Sequence, residues 1–494
     1  MFESAELGHK IDKAVFDAEV PKLREALLDA QFDLAQSAKF QVIILIGGVD
    51  GAGKGETVNL LNEWMDPRHI QTHAFSDPSD EERERPHMWR FWRALPPKGK
   101  IGILFGSWYT EPIVNRVMGL SRAHLDQHLQ EIVRFEKMLT DEGALVLKFW
   151  FHLSKEKQKI RLESLEKNPR TRWRVSDTDW ERFKHYDKFR KISEHALRLS
   201  SCAEAPWIVV EGTDPCYRSL TVGKTLLAAL QKRLQENGKR KLSNGFPLLP
   251  AVDNRSILGA LDLNLKLSRH AYEKELEHLQ GKLNLLSRHP EFRKKSVVAI
   301  FEGSDAGGKG GAIKRITGAL DARQYQVIPI SAPTEEERAH PYLWRFWRHI
   351  PRLGRFTLFD RSWYGRVLVE RVEGFCSDAD WMRAYSEIND FEQQLSQSGA
   401  ILLKFWLAIG KDEQLRRFEE REKIGFKRFK ITEEDWRNRE KWEAYETAVC
   451  DMVDRTSTDI APWTLVEAND KYHARIKILK TLCESLEKAL PVRT

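Results

Sequence analysis

The segment that decides the fold is "IFEGSDAGGKGG", residues 300–311. Its apolar start is typical of a buried strand, and a glycine-rich turn then leads to a Lys and the helical pattern "GAIKRITGAL". A similar segment, "LIGGVDGAGKGE", occupies residues 45–56. A strand, a glycine-rich loop and a helix in this order predict a phosphate-binding loop in an α/β protein.

The two segments belong to an internal duplication that extends over the chain. Lys54 and Lys309, in equivalent positions of the two loops, are 255 residues apart. Further on, "APWIVVEGTD" (205–214) matches "APWTLVEAND" (461–470) at an offset of 256, so one residue was gained between the motifs. A period this long predicts a duplicated domain and not a solenoid repeat.

Each copy alternates short apolar runs with longer stretches of helical spacing. Continuous apolar runs such as "QVIILI" and "SVVAIF" are typical of a parallel sheet covered by helices on both faces. Each copy is therefore predicted to be a three-layer α/β domain, preceded by a helical segment at 10–38 or 256–289. We place the domains at 1–235 and 256–494, joined by a linker at 236–255 that is rich in Gly, Pro, Asn and basic residues.

Composition narrows the class of protein. The 494 residues are 31% charged and 41% hydrophobic, which is ordinary for a globular protein. The start has no secretory signal pattern and no apolar run is long enough to span a membrane, so we expect a cytoplasmic protein with no membrane partner. Five scattered Cys without CxxC spacing argue against disulfides or zinc. The net charge of +7 is compatible with a polyanionic partner.

The loop in the second copy has the chemistry of a phosphate site. Gly303, Gly308 and Lys309 satisfy the G-x-x-x-x-G-K pattern, in which the backbone N–H groups and the Lys contact phosphate. The Ser or Thr that usually follows and binds Mg²⁺ is replaced by Gly310, and Asp305 inside the loop is a candidate replacement ligand. The candidate phosphate-binding glycines are Gly303, Gly307, Gly308 and Gly310. The alternative is a glycine-rich turn without a ligand.

A second motif, "TLFDRSWYGR" (357–366), has an acidic and a basic residue at a strand end. Asp360 is placed to hold Mg²⁺ or its waters, and Arg361 is a candidate bidentate phosphate donor. A strand-end Asp can also be a simple loop cap. The predicted catalytic residues are Asp305, Lys309, Asp360 and Arg361, of which Asp305 and Asp360 are the predicted metal ligands.

A third motif interleaves Arg with aromatic residues in "ERAHPYLWRFWRHIPRLGRF" (337–356). On a helix, Arg345 and Arg348 share one face and Trp344 and Trp347 an adjacent one, so we predict a lid whose indoles anchor it while the arginines contact phosphates. The alternative is a solvated basic face over a Trp stripe in the core. Further candidate substrate-binding residues are Arg366, Glu370 and Arg371.

Taken together, these motifs resemble the polyphosphate kinase 2 family, and in particular its two-domain members. The family's phosphate loop, Arg-rich lid and second motif stand in order as "GSDAGGKGG", "PYLWRFWR" and "DRSWYGR". The resemblance implies Mg²⁺-dependent phosphoryl transfer between inorganic polyphosphate and a nucleotide, on two tandem phosphate-loop kinase-like domains with helical lids. Two-domain members are associated with phosphorylation of AMP to ADP, so polyphosphate and AMP are the implied partners. No residue pattern here identifies the nucleobase.

Other functions stay open at this point. The nucleotide acceptor could be a diphosphate, ADP or GDP, or the donor could be ATP acting on a small molecule. A non-catalytic protein that binds polyanions or nucleic acid is a third alternative, but binding alone has no need of Asp360, and we expect no nucleic-acid partner. Whether the chain forms a homo-oligomer is left open. A cationic track for polyphosphate would be lined by Arg345, Arg348 and Arg352, or by Lys314 and Arg315.

The first copy lacks part of this chemistry. Phe105 and Gly106 stand where Asp360 and Arg361 do, and Glu56 replaces Gly311 near the loop. Glu111 also stands where the second copy has Arg366. We predict that the first copy is catalytically inactive and that its "SWY" (107–109) persists because the aromatics pack the fold. Whether it still binds phosphate is left open.

Overall fold

A computed structural model describes residues 1–236, 256–424 and 433–490. Apart from Glu236, the predicted linker at 236–255 lies outside the described residues. The chain divides into two compact units, each of which includes a short segment from the other half of the sequence. Their described parts are 1–78, 90–236 and 334–344 in the first unit, and 79–89, 256–333, 345–424 and 433–490 in the second. The domain boundaries at 1–235 and 256–494 stay predictions.

The first half of the chain alternates strands and helices. Its strands are β1 (Val42–Gly48), β2 (Ile70–Ala74), β3 (Ile101–Phe105), β4 (Leu145–His152) and β5 (Trp207–Glu211). Its helices are α1 (Lys13–Ser37), α2 (Lys54–Trp64), α3 (Asp80–Arg83), α4 (Trp89–Arg93), α5 (Thr110–Val117), α6 (Arg122–Asp141), α7 (Lys155–Lys167), α8 (Asp177–Lys184), α9 (Tyr186–Ser200) and α10 (Pro215–Gln235). Short 3-10 helices lie at Glu3–Ala5, Pro67–His69 and Arg172–Arg174.

The second half repeats this order of elements. Its strands are β6 (Ser296–Gly303), β7 (Tyr325–Pro329), β8 (Phe356–Asp360), β9 (Ala400–Ala408) and β10 (Trp463–Glu467). Its helices are α11 (Arg269–Ser287), α12 (Lys309–Thr317), α13 (Glu335–Arg338), α14 (Trp344–Trp347), α15 (Val369–Glu373), α16 (Asp378–Gln397), α17 (Lys411–Glu422), α18 (Glu433–Glu440), α19 (Trp442–Thr456) and α20 (Lys471–Ala489). Short 3-10 helices lie at Pro290–Lys294 and Trp363–Arg366. No helix in the described parts of either half is long and apolar enough to cross a membrane.

Each unit is built on one parallel five-stranded sheet. The strand orders are β2-β3-β1-β4-β5 and, in the same sense, β7-β8-β6-β9-β10. The central strand β6 pairs on one side with β8, where Phe301 lies opposite Asp360, and on the other with β9. The connections that follow β6 and β8 run to opposite sides of the sheet order, so the carboxyl end of β6 is a switch point of the topology. Open α/β sheets bind ligands at such points.

Helices cover both faces of the sheet because successive strand side chains point in opposite directions. In the first unit, Phe149 of β4 packs in a core shared with Leu27 of α1 and Leu226 of α10. The next residue back, Lys148, points to the other face and binds Glu136 of α6. The predicted three-layer α/β architecture with parallel sheets is therefore confirmed.

The strand predictions hold where the runs are apolar, and they miss one edge strand of each sheet. Strands β2 and β7 were not predicted, because their residues are mostly half-buried or exposed and form no continuous apolar run. The helical segment predicted for 256–289 is wrong in its first part. Helix α11 begins only at Arg269, where the Ser268 hydroxyl accepts from the backbone N–H of Ala271.

The Ser-Trp-Tyr sequence is part of the core in both copies, as predicted for the first copy. In the second unit the Trp363 indole and the Tyr364 hydroxyl both donate to the Glu392 carboxylate, at 3.1 and 2.7 Å. Lys404 completes the network at 2.7 Å from Glu392. Burial raises the pKa of Glu392 and lowers that of Lys404, and the charge of each group acts against the shift of the other.

The first unit repeats this network with equivalent residues. Trp108 donates to Glu136 at 3.0 Å, and Lys148 lies 2.7 Å from the same carboxylate and 3.3 Å from the Tyr109 hydroxyl. Because a buried ion pair tolerates few alternative arrangements, the network fixes the strand end that carries the second motif.

Breaking this pair should be costly for the second unit. Lys404→Met leaves the Glu392 carboxylate buried without its cation and is expected to lower the free energy of unfolding by about 3–5 kcal/mol. Adding Glu392→Gln to that variant should recover part of the loss, because no unpaired charge stays buried. Urea denaturation measures both changes, and purely additive losses would contradict the coupling.

Candidate active site

The phosphate loop connects β6 to α12 in the second unit. Gly303 has a φ of +145° and a Cβ there would lie 2.5 Å from the Leu407 carbonyl oxygen, so only Gly fits. Lys309 is the first residue of α12. Its side chain folds back over the loop, and the ammonium donates to the Gly303 carbonyl at 2.7 Å. The loop therefore presents a helix N-terminus and a Lys to the same space, as the sequence predicts.

Asp360 ends β8 beside the loop. Its carboxylate lies 4.0 Å from the position that a Cβ on Gly310 would take. Gly310 occupies the place of the Ser or Thr that usually binds Mg²⁺. An acid thus stands next to the position where the ordinary loop has its metal-binding hydroxyl.

Arg361 follows in an unusual backbone conformation. Its φ is +65°, in the left-handed region that is unfavourable for residues other than Gly. The guanidinium donates to Asp305 Oδ1 at 3.1 Å and lies 3.7 Å from Glu434. Burial alone would lower the pKa of Arg361, but the surrounding carboxylates, Asp305 foremost, raise it. The structure thus brings Arg361 onto the loop acid.

A buried acid that the sequence analysis missed lies under the loop. The Glu302 side chain is buried and accepts from the Ser362 hydroxyl at 2.8 Å. Burial raises its pKa, and the nearby charge of Lys309 only partly opposes this. The sequence signal that could have identified Glu302 is that the equivalent residue of the first copy is Gly47.

Two side chains of α17 hold the loop backbone, and neither was among the residues predicted from the sequence. Gln414 donates to the Asp305 carbonyl at 3.2 Å. The buried guanidinium of Arg417 donates to the Ala306 carbonyl at 2.9 Å and to the Ala468 carbonyl at 2.7 Å, joining the loop to the end of β10. These contacts fix the loop before any ligand binds.

The Arg-rich segment differs from the predicted lid helix. Its helix α14 has only four residues, too few to separate two faces by i,i+3 spacing. The indoles of Trp344 and Trp347 are buried as predicted, but Arg345 is also buried and donates to the Ser331 carbonyl at 3.0 Å. Arg348 is half-buried. The alternative of a solvated basic face is therefore wrong for Arg345, whereas phosphate contact by either Arg stays a prediction.

The remaining predicted binding residues are held in ion pairs around α15. Arg366 and Glu370 pair with each other at 2.9 Å. Arg371 pairs with Asp451 at 2.7 Å and lies 4.2 Å above the Trp381 ring. These contacts order α15 against its neighbours, and substrate contact by the three residues stays a prediction.

The loop of the first copy has the same backbone and different charges. Lys54 donates to the Gly48 carbonyl at 2.7 Å and lies 3.3 Å from the Asp50 carboxylate. The equivalent of Arg361 is Gly106, with a φ of +75°. The turn is therefore shared between the copies, whereas the strand-end acid and guanidinium are not.

An ion cluster belonging to the protein itself lies at this first loop. The Glu56 carboxylate in the first turn of α2 pairs with Arg218 at 2.8 Å, Arg161 at 3.0 Å and Arg174 at 3.4 Å. The Arg218 side chain is buried, and a Cβ on Gly53 would lie 1.9 Å from its guanidinium. Burial lowers the pKa of Arg218, and Glu56 acts against that shift.

Comparison with known proteins extends over the full chain. The protein is 60% identical over 492 residues to a polyphosphate:AMP phosphotransferase of Pseudomonas aeruginosa, covering 99% of both chains. It is 38% identical over 470 residues to a protein of the same name from Acinetobacter johnsonii, covering 93% of this chain and 95% of the relative. Single-copy relatives also match, among them an ADP-polyphosphate phosphotransferase of Pseudomonas aeruginosa at 41% identity over 221 residues, or 45% of this chain.

The fold comparison agrees with the sequence comparison. A crystal structure from Pseudomonas aeruginosa, described as a polyphosphate kinase 2, superposes with a TM-score of 0.89 at 57% identity and covers 99% of each chain. The family model for polyphosphate kinase 2 matches residues 10–238 and again 266–493. The duplicated phosphate-loop chain thus belongs to the polyphosphate kinase 2 family.

Proposed function

We propose that this protein transfers the terminal phosphoryl group of inorganic polyphosphate to AMP, giving ADP, and that the second unit performs the reaction. The observation that carries the proposal is the convergence of Asp305, Lys309, Asp360 and Arg361 on one loop. The full-length identity to proteins named polyphosphate:AMP phosphotransferase supports the choice of substrates.

The residues suit a reaction that needs positioning and charge neutralisation more than covalent chemistry. An oxygen of the AMP phosphate forms a bond to the terminal phosphorus as the bond to the next phosphate breaks, and the polyphosphate becomes one unit shorter. The loop N–H groups and Lys309 bind the transferred group. Arg361, which donates to the loop acid Asp305, would neutralise charge that develops on the transferred group.

The donor set fits Mg²⁺, which proteins usually hold through one or two carboxylates together with substrate phosphates. Asp305 and Asp360 would hold the ion, which when bound neutralises phosphate charge. Among the described residues, no group of three or more His, Cys, Asp or Glu could hold a metal ion. Phosphate oxygens would therefore complete the coordination.

A long polyanion also requires a cationic surface beyond the loop. Lys314 and Arg315 lie one turn further along α12. The Arg315 guanidinium lies 3.2 Å from the Tyr272 hydroxyl, which holds it at the side of the helix. Arg352 is paired with Glu84 within the same unit. We therefore favour Lys314 and Arg315 as the first cations of the track.

The proposal is tested by measuring product formation with polyphosphate, Mg²⁺ and each of AMP, GMP, ADP and GDP. We expect ADP from AMP, and no product when ATP replaces polyphosphate. Because single-copy relatives carry names with ADP or GDP, faster phosphorylation of the diphosphates would favour the diphosphate kinase alternative. Activity with ATP alone would favour an ATP-dependent kinase, and binding of polyphosphate without turnover would reject an enzyme.

A further inference from the structure

The Asp305 carboxylate is contacted at both oxygens by different parts of the second unit. Arg361 donates to Oδ1 at 3.1 Å, and the side-chain amide of Asn438 donates to Oδ2 at 2.9 Å. Since a carboxylate only accepts, Asn438 must present its NH₂ group to Asp305. Its own oxygen then faces Tyr445, whose hydroxyl donates to it at 3.0 Å.

Tyr445 is suited to remain a donor. Burial raises the pKa of its hydroxyl, and the neighbouring acids, Glu373 and Asp305 foremost, raise it further. The hydroxyl therefore keeps its proton throughout the neutral range. The orientation of the Asn438 amide is fixed by chemistry on both sides, because an inverted amide would leave two acceptors facing each other at Asp305.

Helix α18, which carries Asn438, is anchored independently of Asp305. The buried carboxylate of Glu373 pairs with Arg437 at 3.0 Å and with Lys441 at 2.9 Å. The preceding residue of the helix, Trp436, packs edge to face with Phe418 at a centroid distance of 5.1 Å. The helix is thus held to α15 and α17, and the amide is presented from a fixed position.

The first copy lacks both groups at the equivalent positions. Arg182 replaces Asn438 and Phe189 replaces Tyr445, each 256 residues earlier. The Arg182 guanidinium lies 3.8 Å from Asp50, and the Asp50 carboxylate lies instead 3.3 Å from Lys54. Without the amide, its Tyr and the guanidinium of Arg361, the loop acid lies toward the loop Lys.

The contact to the loop backbone, in contrast, is the same in both copies. Gln158 donates to the Asp50 carbonyl at 3.0 Å, and Gln414 donates to the Asp305 carbonyl at 3.2 Å. Folding of the loop therefore accounts for the Gln in each copy. It does not account for Asn438 and Tyr445, which occur only in the copy that also has the charged strand end.

We propose that Asn438 and Tyr445 are positioning residues that hold the Asp305 carboxylate away from Lys309, in the orientation needed toward Mg²⁺ and phosphate. The inference rests on the proposed function of the second unit. It separates two tasks at the loop: Lys309 stays available for the transferred group, and Asp305 stays available as an anion. It also adds a reason why the first copy would be inactive, beyond the loss of its strand-end pair.

The test compares Asn438→Ala, Asn438→Asp, Tyr445→Phe and, as the matched control, Arg182→Ala in the first copy. Loss of the amide is expected to lower kcat and to raise the Mg²⁺ concentration for half-maximal rate by about 10- to 100-fold, as outer contacts to metal ligands commonly do. Asn438→Asp keeps the shape of the side chain but removes its hydrogen-bond donor, so this variant should lose at least as much activity as Asn438→Ala. Tyr445→Phe should lower kcat about fivefold. Arg182→Ala should leave kcat unchanged.

A purely structural role predicts the opposite order, with the isosteric Asp variant more active than Ala, and that order would overturn the proposal. A second measurement is independent of activity. In metal-free crystals of Asn438→Ala we expect the Asp305 carboxylate to turn onto Lys309, as Asp50 lies on Lys54. An unmoved Asp305 would also reject the proposal. If the wild-type chain does not convert AMP at all, the proposed function fails, whereas the crystals still decide whether Asn438 positions Asp305.

Discussion

Asp305→Asn is expected to lower turnover by about a thousandfold, whereas Asp50→Asn leaves it unchanged. The substitution preserves the size of the side chain but removes a charge that faces Arg361 and the phosphate loop. An amide is a poor substitute for a carboxylate that must neutralise a divalent cation. Steady-state measurement of ADP formation from polyphosphate and AMP gives the two rates.

The comparison is matched because both acids occupy the same position in equivalent loops. Both are held through their backbone carbonyl by a Gln, so neither substitution should disturb the loop itself. Thermal melting of both variants controls for folding. Equal losses of turnover in the two variants would contradict the assignment of catalysis to the second unit.

Arg361→Gly and Arg361→Ala are expected to lose activity equally, by about a hundredfold or more, because each removes the guanidinium. Their stabilities should differ. At a φ of +65°, Ala keeps the left-handed strain of about 1–2 kcal/mol that Gly relieves. The Gly variant should therefore melt at the higher temperature, although Gly usually destabilises a folded chain.

The first copy provides the converse experiment. Gly106 already has a φ of +75°, and a Cβ there would lie 3.0 Å from the Phe75 carbonyl oxygen. Gly106→Ala should therefore destabilise the first unit without affecting turnover. An Ala variant at 361 that is at least as stable as the Gly variant would show that the backbone at Arg361 is not strained.

The sequence predicted best those features whose signals lie close together along the chain. The strand, loop and Lys of residues 300–311 form one continuous pattern, and the strand-end acid Asp360 follows an apolar run. The duplication then supplied an internal comparison that identified Phe105 and Gly106 as exchanges. These features required no knowledge of tertiary contacts.

Features that depend on distant contacts could not be predicted. Asn438 contacts Asp305 across 133 positions, and an Asn in a highly charged helix looks like any other surface residue. Arg345 was expected to share a helix face with Arg348, yet α14 has only four residues and the Arg345 side chain is buried, donating to the Ser331 carbonyl. Glu302 was overlooked because an acid at a buried strand end has no periodic pattern to mark it.

The ion cluster around Glu56 gives the loops of the two units different sources of negative charge. In the first unit the anion at the loop is the Glu56 carboxylate, which is part of the chain. Its effective local concentration is therefore constant and independent of solute concentrations in the cell. In the second unit Gly311 supplies no such anion, and any ligand must come from solution. Binding then stabilises that unit by an amount that rises with ligand concentration. On the proposed function, the second unit would lose this support when polyphosphate is exhausted, while the first unit keeps its own Glu56 counter-ion.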